Sequence, residues 1–314
     1  MAADRQSFSV VIPLYNKQAE IARTLASVVA QTHPPAEIIV VNDGSTDGSR
    51  SEVEAFAHPD VRIVDQSNQG ECAARNTGIR SARHDWIAFL DADDEWLPGH
   101  LASLAALIRD FPEARACSDG FIVESPNGRR LPPTRGVPND TWRGIIPDFF
   151  NSNLLVFSSG VAIHRDVFPA AGYFQPRVAY GGDYDMWLRL ASYFPIAHTT
   201  EIGAIYHTDA SNRVSRRPAM RRTLFLRRSL RQVDAEPGIP AQTKKAMRQR
   251  VAAYELKSAH WAHRRGYWRQ ARRLATVWEH EFGRTRDWWL LRLKLLVSPQ
   301  WAQAWARLRG LPEN

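Results

Sequence analysis

Short apolar runs that end in polar residues recur along the first part of the chain. Residues 8–16 form a β-rich run interrupted by a proline, and Ile21, Leu25 and Val28 then repeat at helical spacing. Residues 37–41 form a second continuous apolar run, which ends in a polar, glycine-containing stretch. The pattern predicts a strand, a helix and a second strand, with the polar ends of both strands on the ligand side.

The same alternation continues beyond these elements. A third strand is predicted at residues 61–64, a third helix at residues 70–80 and a later strand at residues 158–163. Ser45, Thr46 and Asp47 are N-cap candidates for the second helix. Successive strand and helix units favour a right-handed, mostly parallel sheet covered by helices.

Residues 86–96 form the most distinctive run, because apolar residues give way to four acids within five positions. The apolar part is typical of a central strand, and ligands of open α/β sheets bind beyond the carboxyl ends of strands. Crowded carboxylates repel one another unless a cation neutralises them, and oxygen ligands suit Mg²⁺ or Mn²⁺. An acidic helix start is the alternative, since the helix dipole favours acids there. Taken alone, the run leaves both interpretations open.

The composition is that of an ordinary globular protein, with 314 residues, 44% of them apolar and 24% charged. The two cysteines, Cys72 and Cys117, are too few for a disulfide framework, so a reducing, cytoplasmic compartment is expected. The sequence has no signal-peptide pattern and no apolar run long enough for a membrane span. We therefore expect a chain that is neither secreted nor integral in a membrane.

Charge divides the chain into two parts. Residues 1–210 hold 17 Lys and Arg against 26 Asp and Glu, a net −9, whereas residues 211–314 hold 24 against 7, a net +17. The second part also carries seven of the eleven tryptophans and a mostly helical pattern. These shifts predict two domains, a first domain at residues 1–215 and a basic, Trp-rich helical extension at residues 216–314.

Four segments in order carry a resemblance to a known family. They are VIPLYN at 11–16, VVNDGSTD at 40–47, AARNTG at 73–78 and LDADD at 90–94. In this order they closely resemble glycosyltransferase family 2, over about residues 8–215. The resemblance implies the GT-A fold, an α/β, Rossmann-like, mostly parallel sheet flanked by helices. It further implies a nucleotide-sugar donor, a divalent metal at an Asp-x-Asp motif and inversion at the anomeric carbon.

The resemblance assigns donor-site roles to residues at the strand ends and on the third helix. Tyr15 is similar to the residue that packs on the base, and Asp43 to the carboxylate that accepts the imide N–H of the base. Arg75 is similar to a nucleotide or diphosphate contact. Capping of a helix by Asp43 and a solvated Arg75 are the structural alternatives. The full predicted nucleotide-sugar set is Pro13, Tyr15, Asn16, Asp43, Arg75, Asn76, Asp91, Ala92 and Asp93.

Residues 181–190 predict an amphipathic helix with two acids in its first turn. The family usually has Glu-Asp there, with the Asp as general base; Gly182 replaces the Glu and Asp183 keeps the aspartate position. Asp185 is the second catalytic candidate, and a plain N-cap is the alternative role for Asp183. His207, in the last strand of the resemblance, is similar to a metal ligand or a phosphate contact. The predicted ligands of Mn²⁺ or Mg²⁺ are Asp93, Asp91 and His207.

The basic extension leaves two interpretations open. Residues 288–297 are amphipathic and Trp-rich but too short and too charged to span a bilayer, so they could lie on an anionic membrane. Alternatively, the aromatic side chains pack on the catalytic domain or in a homodimer interface.

Two functions from different classes follow. The first is an inverting glycosyltransferase that uses a UDP-sugar and a glycan or lipid-linked acceptor in cell-surface polysaccharide synthesis, in the cytoplasm or peripheral on the cytoplasmic face of the membrane. The second is a non-catalytic nucleotide-fold protein whose basic part binds nucleic acid or membrane. Nucleic acid is disfavoured, because the acidic first part would repel phosphate backbones and no nucleic-acid motif is present.

Overall fold

The computed structural model describes residues 6–131, 142–152, 156–178, 181–210, 224–264, 267–282, 288–289 and 292. The chain divides into two compact units, Met1–Arg216 and Arg217–Asn314. The first unit contains the sheet, and the second is helical throughout its described part.

The first unit begins with alternating strands and helices and then adds antiparallel strands. Its strands are β1 (Phe8–Leu14), β2 (Glu37–Asp43), β3 (Val61–Gln66), β4 (Trp86–Phe89), β5 (Glu95–Trp96), β6 (Ala116–Glu124), β7 (Arg130–Leu131), β8 (Arg143–Ile145), β9 (Val161–His164) and β10 (Ile196–His207). Its helices are α1 (Ile21–Val29), α2 (Ser49–Phe56), α3 (Glu71–Ser81), α4 (His100–Asp110), α5 (Val167–Ala171) and α6 (Gly182–Tyr193), with a 3₁₀ turn at Ser158–Gly160.

All of these strands form one sheet in the order β3-β2-β1-β4-β9-β6-β10-β5, with β7 beside β6 and β8 beside β10. The four strands from β3 to β4 are parallel, as expected for strand and helix units. The sheet becomes mixed beyond them, because β9 runs antiparallel to both β4 and β6. The predicted α/β fold is confirmed, with parallel pairing concentrated in its first half.

Three of the four parallel strands, β1, β2 and β4, are buried on both faces, which explains their continuous apolar runs, whereas β3 at the edge is partly buried. Every residue of β1, β2 and β4 is buried. Helix α1 buries Ile21, Leu25 and Val28, the positions that repeat at helical spacing. On the opposite face, α3 approaches β1 so closely that a Cβ atom at Gly78 would collide with Val11. Tight packing on both faces therefore fixes where the strands end.

Two local predictions were wrong. Helix α2 has Gly48 as its N-cap residue, and none of Ser45, Thr46 and Asp47 occupies that position. The carboxylate of Asp47 accepts the backbone N–H of Ser49 at 3.0 Å instead. The run at residues 158–163 begins as the 3₁₀ turn and becomes a strand only at Val161, because its first polar side chains make long-range contacts described below.

The second unit contains α7 (Leu224–Ala235), α8 (Ala241–Arg264) and α9 (Trp268–Phe282). Arg227 and Glu255 form a buried two-pronged ion pair between α7 and α8, with N–O distances of 2.8 and 2.6 Å. Two tryptophans, Trp278 and Trp288, are buried together in this unit, whereas Trp289 is 51% exposed. The rest of the amphipathic stretch at residues 288–297 lies outside the described residues, apart from Arg292. None of the described helices is long and apolar enough to cross a membrane.

Candidate active site

The acids of the LDADD segment lie at the carboxyl edge of the parallel strands, just after β4. Asp93 forms an ion pair with Lys17, whose Nζ lies 2.7 Å from Asp93 Oδ2; the two side chains are 12% and 15% exposed. The carbonyl oxygen of Asp93 accepts a hydrogen bond from Arg23 at 3.0 Å. Thr24 Oγ1 lies 3.0 and 2.8 Å from the carbonyl oxygens of Ala92 and Asp94. The segment before and within α1 therefore holds this acidic loop in place.

Asp91 has a different basic partner, on α3. Arg75 Nη2 lies 2.6 Å from Asp91 Oδ1, also pairs with Glu71, and stacks over the ring of Phe174. Arg75 is 1% exposed. Burial raises the pKa of Asp91 to about 6 against the lowering effect of Arg75. Arg75 is therefore buried against Asp91 and Glu71, and the alternative that it is a solvated helix arginine is wrong.

Asp94 lies beneath this edge and links three segments. Its Oδ2 accepts a hydrogen bond from Ser159 at 2.5 Å, and its Oδ1 accepts the backbone N–H of His207 at 3.2 Å. Ser159 Oγ in turn accepts the backbone N–H of Asp91 at 3.1 Å. Burial, together with the charges of Asp93 and Asp91, raises the pKa of Asp94 well above its usual range. Asp94 thus acts as a buried support for Asp91 and Asp93, which are partly buried.

Asp183 contacts the 3₁₀ turn at Ser158–Gly160, the turn that also carries Ser159. It lies in the first turn of α6, and its Oδ2 accepts a hydrogen bond from Ser158 at 3.3 Å. Ser158 is 4% exposed and Ser159 is fully buried. No ion pair to Asp183 occurs among the residues that the structure describes. Two adjacent serines therefore connect the acids after β4 with the predicted general base.

Asp185 does not belong to the site. It is fully buried, and Arg189 Nη2 and Nε lie 2.8 and 3.0 Å from its Oδ2. Gln175 Nε2 lies 3.4 Å from its other oxygen. A general base must reach the substrate, and a buried carboxylate in an ion pair cannot. The prediction of Asp185 as a catalytic candidate is corrected to a structural role within α6.

Gly182 now has a physical explanation. A Cβ atom at this position would collide with Sγ of Cys72, a buried residue of α3. The close approach of α3 and α6 therefore leaves no room for a side chain at residue 182. Burial raises the pKa of the Cys72 thiol to about 12, so the sulfur that fills this space stays protonated. The packing of α3 against α6 therefore explains why Gly182 stands where the family usually has Glu.

Asp43 is held at the end of β2 and is 2% exposed. Its carboxylate accepts the backbone N–H groups of Gln69 and Gly70, each at 2.8 Å, and thereby fixes the turn that leads into α3. Tyr15 and Asn16 follow β1 and are partly buried. The carbonyl of the Asn16 side chain accepts the backbone N–H of Thr46 at 2.8 Å, which ties the two strand-end loops together.

Three of the predicted donor-binding residues have structural contacts. Asn76 is 2% exposed and exchanges two hydrogen bonds with the backbone of Phe174, at 2.7 and 3.0 Å. Pro13 is buried within β1, and Ala92 is buried in the acidic loop. These side chains support the site within the fold, and their assignment as donor contacts stays a prediction.

The ring of His207 lies beside two glutamates. It is 4% exposed, and its ring nitrogens lie 3.2 Å from Glu95 and 3.5 Å from Glu124. Across the described residues, no three His, Cys, Asp or Glu side chains form a cluster suited to a metal ion. The ring of His207 contacts the two glutamates, and the roles of His207, Asp91 and Asp93 as metal ligands stay predictions.

Comparison with known proteins identifies the family to which the chain is similar. The profile of Glycosyl transferase family 2 matches residues 9–169. The chain is similar to the uncharacterized glycosyltransferase YibD of Escherichia coli, at 35% identity over 156 residues, which are 48% of this chain and 42% of YibD. It is also similar to TuaG of Bacillus subtilis, which carries the name of a teichuronic acid biosynthesis glycosyltransferase, at 31% identity over 190 residues, 58% of this chain and 71% of TuaG. The alignment with YibD thus spans less than half of that relative.

The fold is shared with a solved structure of greater sequence divergence. Residues 1–349 of Staphylococcus aureus TarS, crystallised with UDP-GlcNAc, superpose with a TM-score of 0.76 at 16% identity, covering 98% of this chain and 93% of TarS 1–349. At this identity the likeness concerns the fold, and it confirms the predicted GT-A architecture. On the matches of its sequence profile and its fold, the chain belongs to glycosyltransferase family 2.

Proposed function

We propose that this chain is an inverting glycosyltransferase that moves a sugar from a UDP-sugar to a hydroxyl group of a glycan or lipid-linked acceptor. The UDP-GlcNAc complex of TarS, which has the same fold, supports the choice of donor class. The name of TuaG supports an acceptor in cell-surface polysaccharide synthesis. The proposal extends the family assignment to a reaction and to named residues.

The observation that carries the proposal is the serine pair between the two sets of acids. Ser159 supports the loop of Asp91, and Ser158 supports Asp183. A sugar donor bound at the strand edge would therefore face the carboxylate of Asp183, and the same serine pair would support both. Asp183 would accept the proton of the acceptor hydroxyl as its oxygen attacks the anomeric carbon and UDP leaves. A single displacement of this kind inverts the configuration.

Tyr15 and Asp43, at the ends of β1 and β2, would face the uracil base. Asp43 also supports the turn before α3, and a carboxylate has enough lone pairs for both roles. Arg75 would keep Asp91 charged and oriented toward the ribose. With these roles, the parallel half of the sheet would bind the nucleotide-sugar donor.

The acids after β4 suit a divalent cation. Asp93 already holds a positive charge, the ammonium of Lys17, and its carboxylate is partly exposed. Mg²⁺ and Mn²⁺ commonly bind one or two carboxylates together with substrate phosphates, so a preformed cluster of three protein ligands is unnecessary. Asp93, supported by Asp91, would hold the ion. When bound, the ion would stabilise the charge that develops on the leaving diphosphate.

The second unit would bring the enzyme to an anionic membrane. Residues 217–314 hold 22 Lys and Arg against 7 Asp and Glu, a net +15, and Trp289 is exposed. Trp288 donates to the carbonyl oxygen of Ala275 at 3.1 Å and packs inside the unit, so it belongs to the packing interpretation. Co-sedimentation with anionic vesicles at low and high salt tests this role. Binding that persists unchanged after removal of residues 285–314 would leave the homodimer interpretation in its place.

A screen of nucleotide-sugars against a panel of glycan and lipid-linked acceptors tests the reaction itself. Release of UDP that depends on the acceptor and on Mn²⁺ is the expected result. Asp183→Asn is the matched control, because it keeps the shape of the side chain and removes the base. UDP release that is independent of any acceptor and equal in this variant would contradict the proposed transfer.

A further inference from the structure

We propose that Lys17 is a built-in counter-ion of Asp93 and that its ammonium must leave this carboxylate before a divalent cation can bind there. The inference rests on the proposed function, since it concerns the carboxylate assigned to the metal. It adds a residue that lies outside the resemblance motifs, one position after VIPLYN. Its consequence is that the metal and the nucleotide bind together.

The backbone of Lys17 is anchored on both sides. Its N–H donates to Ser49 Oγ at 2.7 Å, and its carbonyl accepts the N–H groups of Glu20 and Ile21 at 3.2 and 3.0 Å. A fixed backbone leaves only the side chain to move. The ammonium reaches Asp93 Oδ2 across a sequence separation of 76 residues. The ion pair is therefore a product of the fold at the strand edge.

Lys17 differs from Arg75, which pairs with the neighbouring acid Asp91. Arg75 is 1% exposed and contacts two acids and an aromatic ring, so it has a permanent place. The side chain of Lys17 is 12% exposed and its ion pair is with Asp93 alone among the described residues. A lysine ammonium is a point charge on a flexible stem, whereas the guanidinium is a planar fork. The Lys17 ion pair is thus the one that can exchange.

Exchange has a cost that the nucleotide can offset. A cation that binds Asp93 without nucleotide must displace an ammonium from a partly buried charge-assisted hydrogen bond. When a diphosphate is present, the released ammonium has anionic oxygens to bind, and the cation gains phosphate ligands. Lys17 therefore couples the two ligands. We expect weak Mn²⁺ binding to the free protein and tighter binding with UDP.

Mn²⁺ titrations of the full chain test this coupling, with free Mn²⁺ measured by electron paramagnetic resonance. Lys17→Met is expected to bind Mn²⁺ about 10-fold more tightly than the wild type without UDP, because the competing charge is gone. Lys17→Arg keeps a cation and is expected to bind Mn²⁺ as weakly as the wild type. Lys257→Met removes an equal charge from an exposed position of α8 and should change nothing.

The outcomes separate this inference from the proposed function. Equal Mn²⁺ affinity of Lys17→Met and wild type without UDP overturns the counter-ion role, even if UDP binding remains dependent on Mn²⁺. If UDP binding by the wild type does not depend on Mn²⁺, the proposed function is contradicted. The titrations without UDP still decide the role of Lys17. If Lys17→Met does not fold, Lys17→Gln takes its place, since its amide can still donate to Asp93 without a charge.

Discussion

The acids on the two sides of the site have different partners. Asp91 and Asp93, after β4, each form an ion pair with a basic residue, Arg75 and Lys17. Asp183, at the start of α6, accepts a hydrogen bond from Ser158 and forms no ion pair within the described part of the chain. The contrast follows the chemistry proposed for each side.

A carboxylate that holds a cation or orients a ribose benefits from staying ionised, and a basic neighbour favours the ionised form. A carboxylate that takes up a proton would be weakened by the same neighbour, because an adjacent positive charge lowers its proton affinity. A hydroxyl group such as that of Ser158 can orient the base without adding charge. The difference in partners therefore separates charge binding from proton transfer.

The largest effect is expected at Asp183. Asp183→Asn removes the proton acceptor and should lower kcat about 10³-fold, within the range typical of general bases. Affinity for UDP should stay within about 2-fold of the wild type, because the donor side is untouched. Kinetics with an identified acceptor, together with UDP calorimetry, measure both quantities. Wild-type transfer by this variant would reduce Asp183 to an N-cap.

Asp185 provides the contrast within the same helix. Asp185→Asn leaves Arg189 as a buried cation without its carboxylate, so the free energy of unfolding should fall by about 3 kcal/mol. Urea denaturation at neutral pH measures this change. A variant as stable as the wild type but inactive would exchange the roles of Asp183 and Asp185.

The adjacent serines give the smallest and most discriminating effect. Ser158→Ala should lower kcat about 10-fold with donor affinity unchanged, because Asp183 loses its orienting hydrogen bond. Ser159→Ala should instead weaken UDP binding by a similar factor, since it loosens the loop of Asp91. Parallel kinetics and calorimetry on the two variants compare the effects. If both variants changed kcat and UDP affinity in the same way, separate roles for Ser158 and Ser159 would be contradicted.

Local pattern was sufficient for the parallel half of the fold. The apolar runs of β1, β2 and β4 are buried on both faces, and the positions of α1 that repeat at helical spacing face the core. The four family motifs also indicated the acids after β4, because those residues are contiguous in sequence. Such features depend on neighbours within a few positions.

The remaining parts of the site depend on distant contacts. Lys17 reaches Asp93 from 76 residues away, and Ser159 reaches Asp91 from 68 residues away, so no local period indicates either pair. The resemblance assigned ligand contacts to Asn76 and His207, and the fold gives them Phe174 and two glutamates as partners. In these cases the motif indicated the residue, whereas its contacts could be identified only from the fold.

Calorimetry with UDP in the presence of Mn²⁺ tests the central claim, that the acids after β4 bind the donor through a divalent cation. Asp93→Ala should remain folded and bind UDP at least about 100-fold more weakly than the wild type, because the direct ligand is lost. Asp60→Ala, an exposed acid after α2, is the matched control and should bind UDP normally. Wild-type affinity for UDP and Mn²⁺ in a folded Asp93→Ala protein would contradict this account of the site.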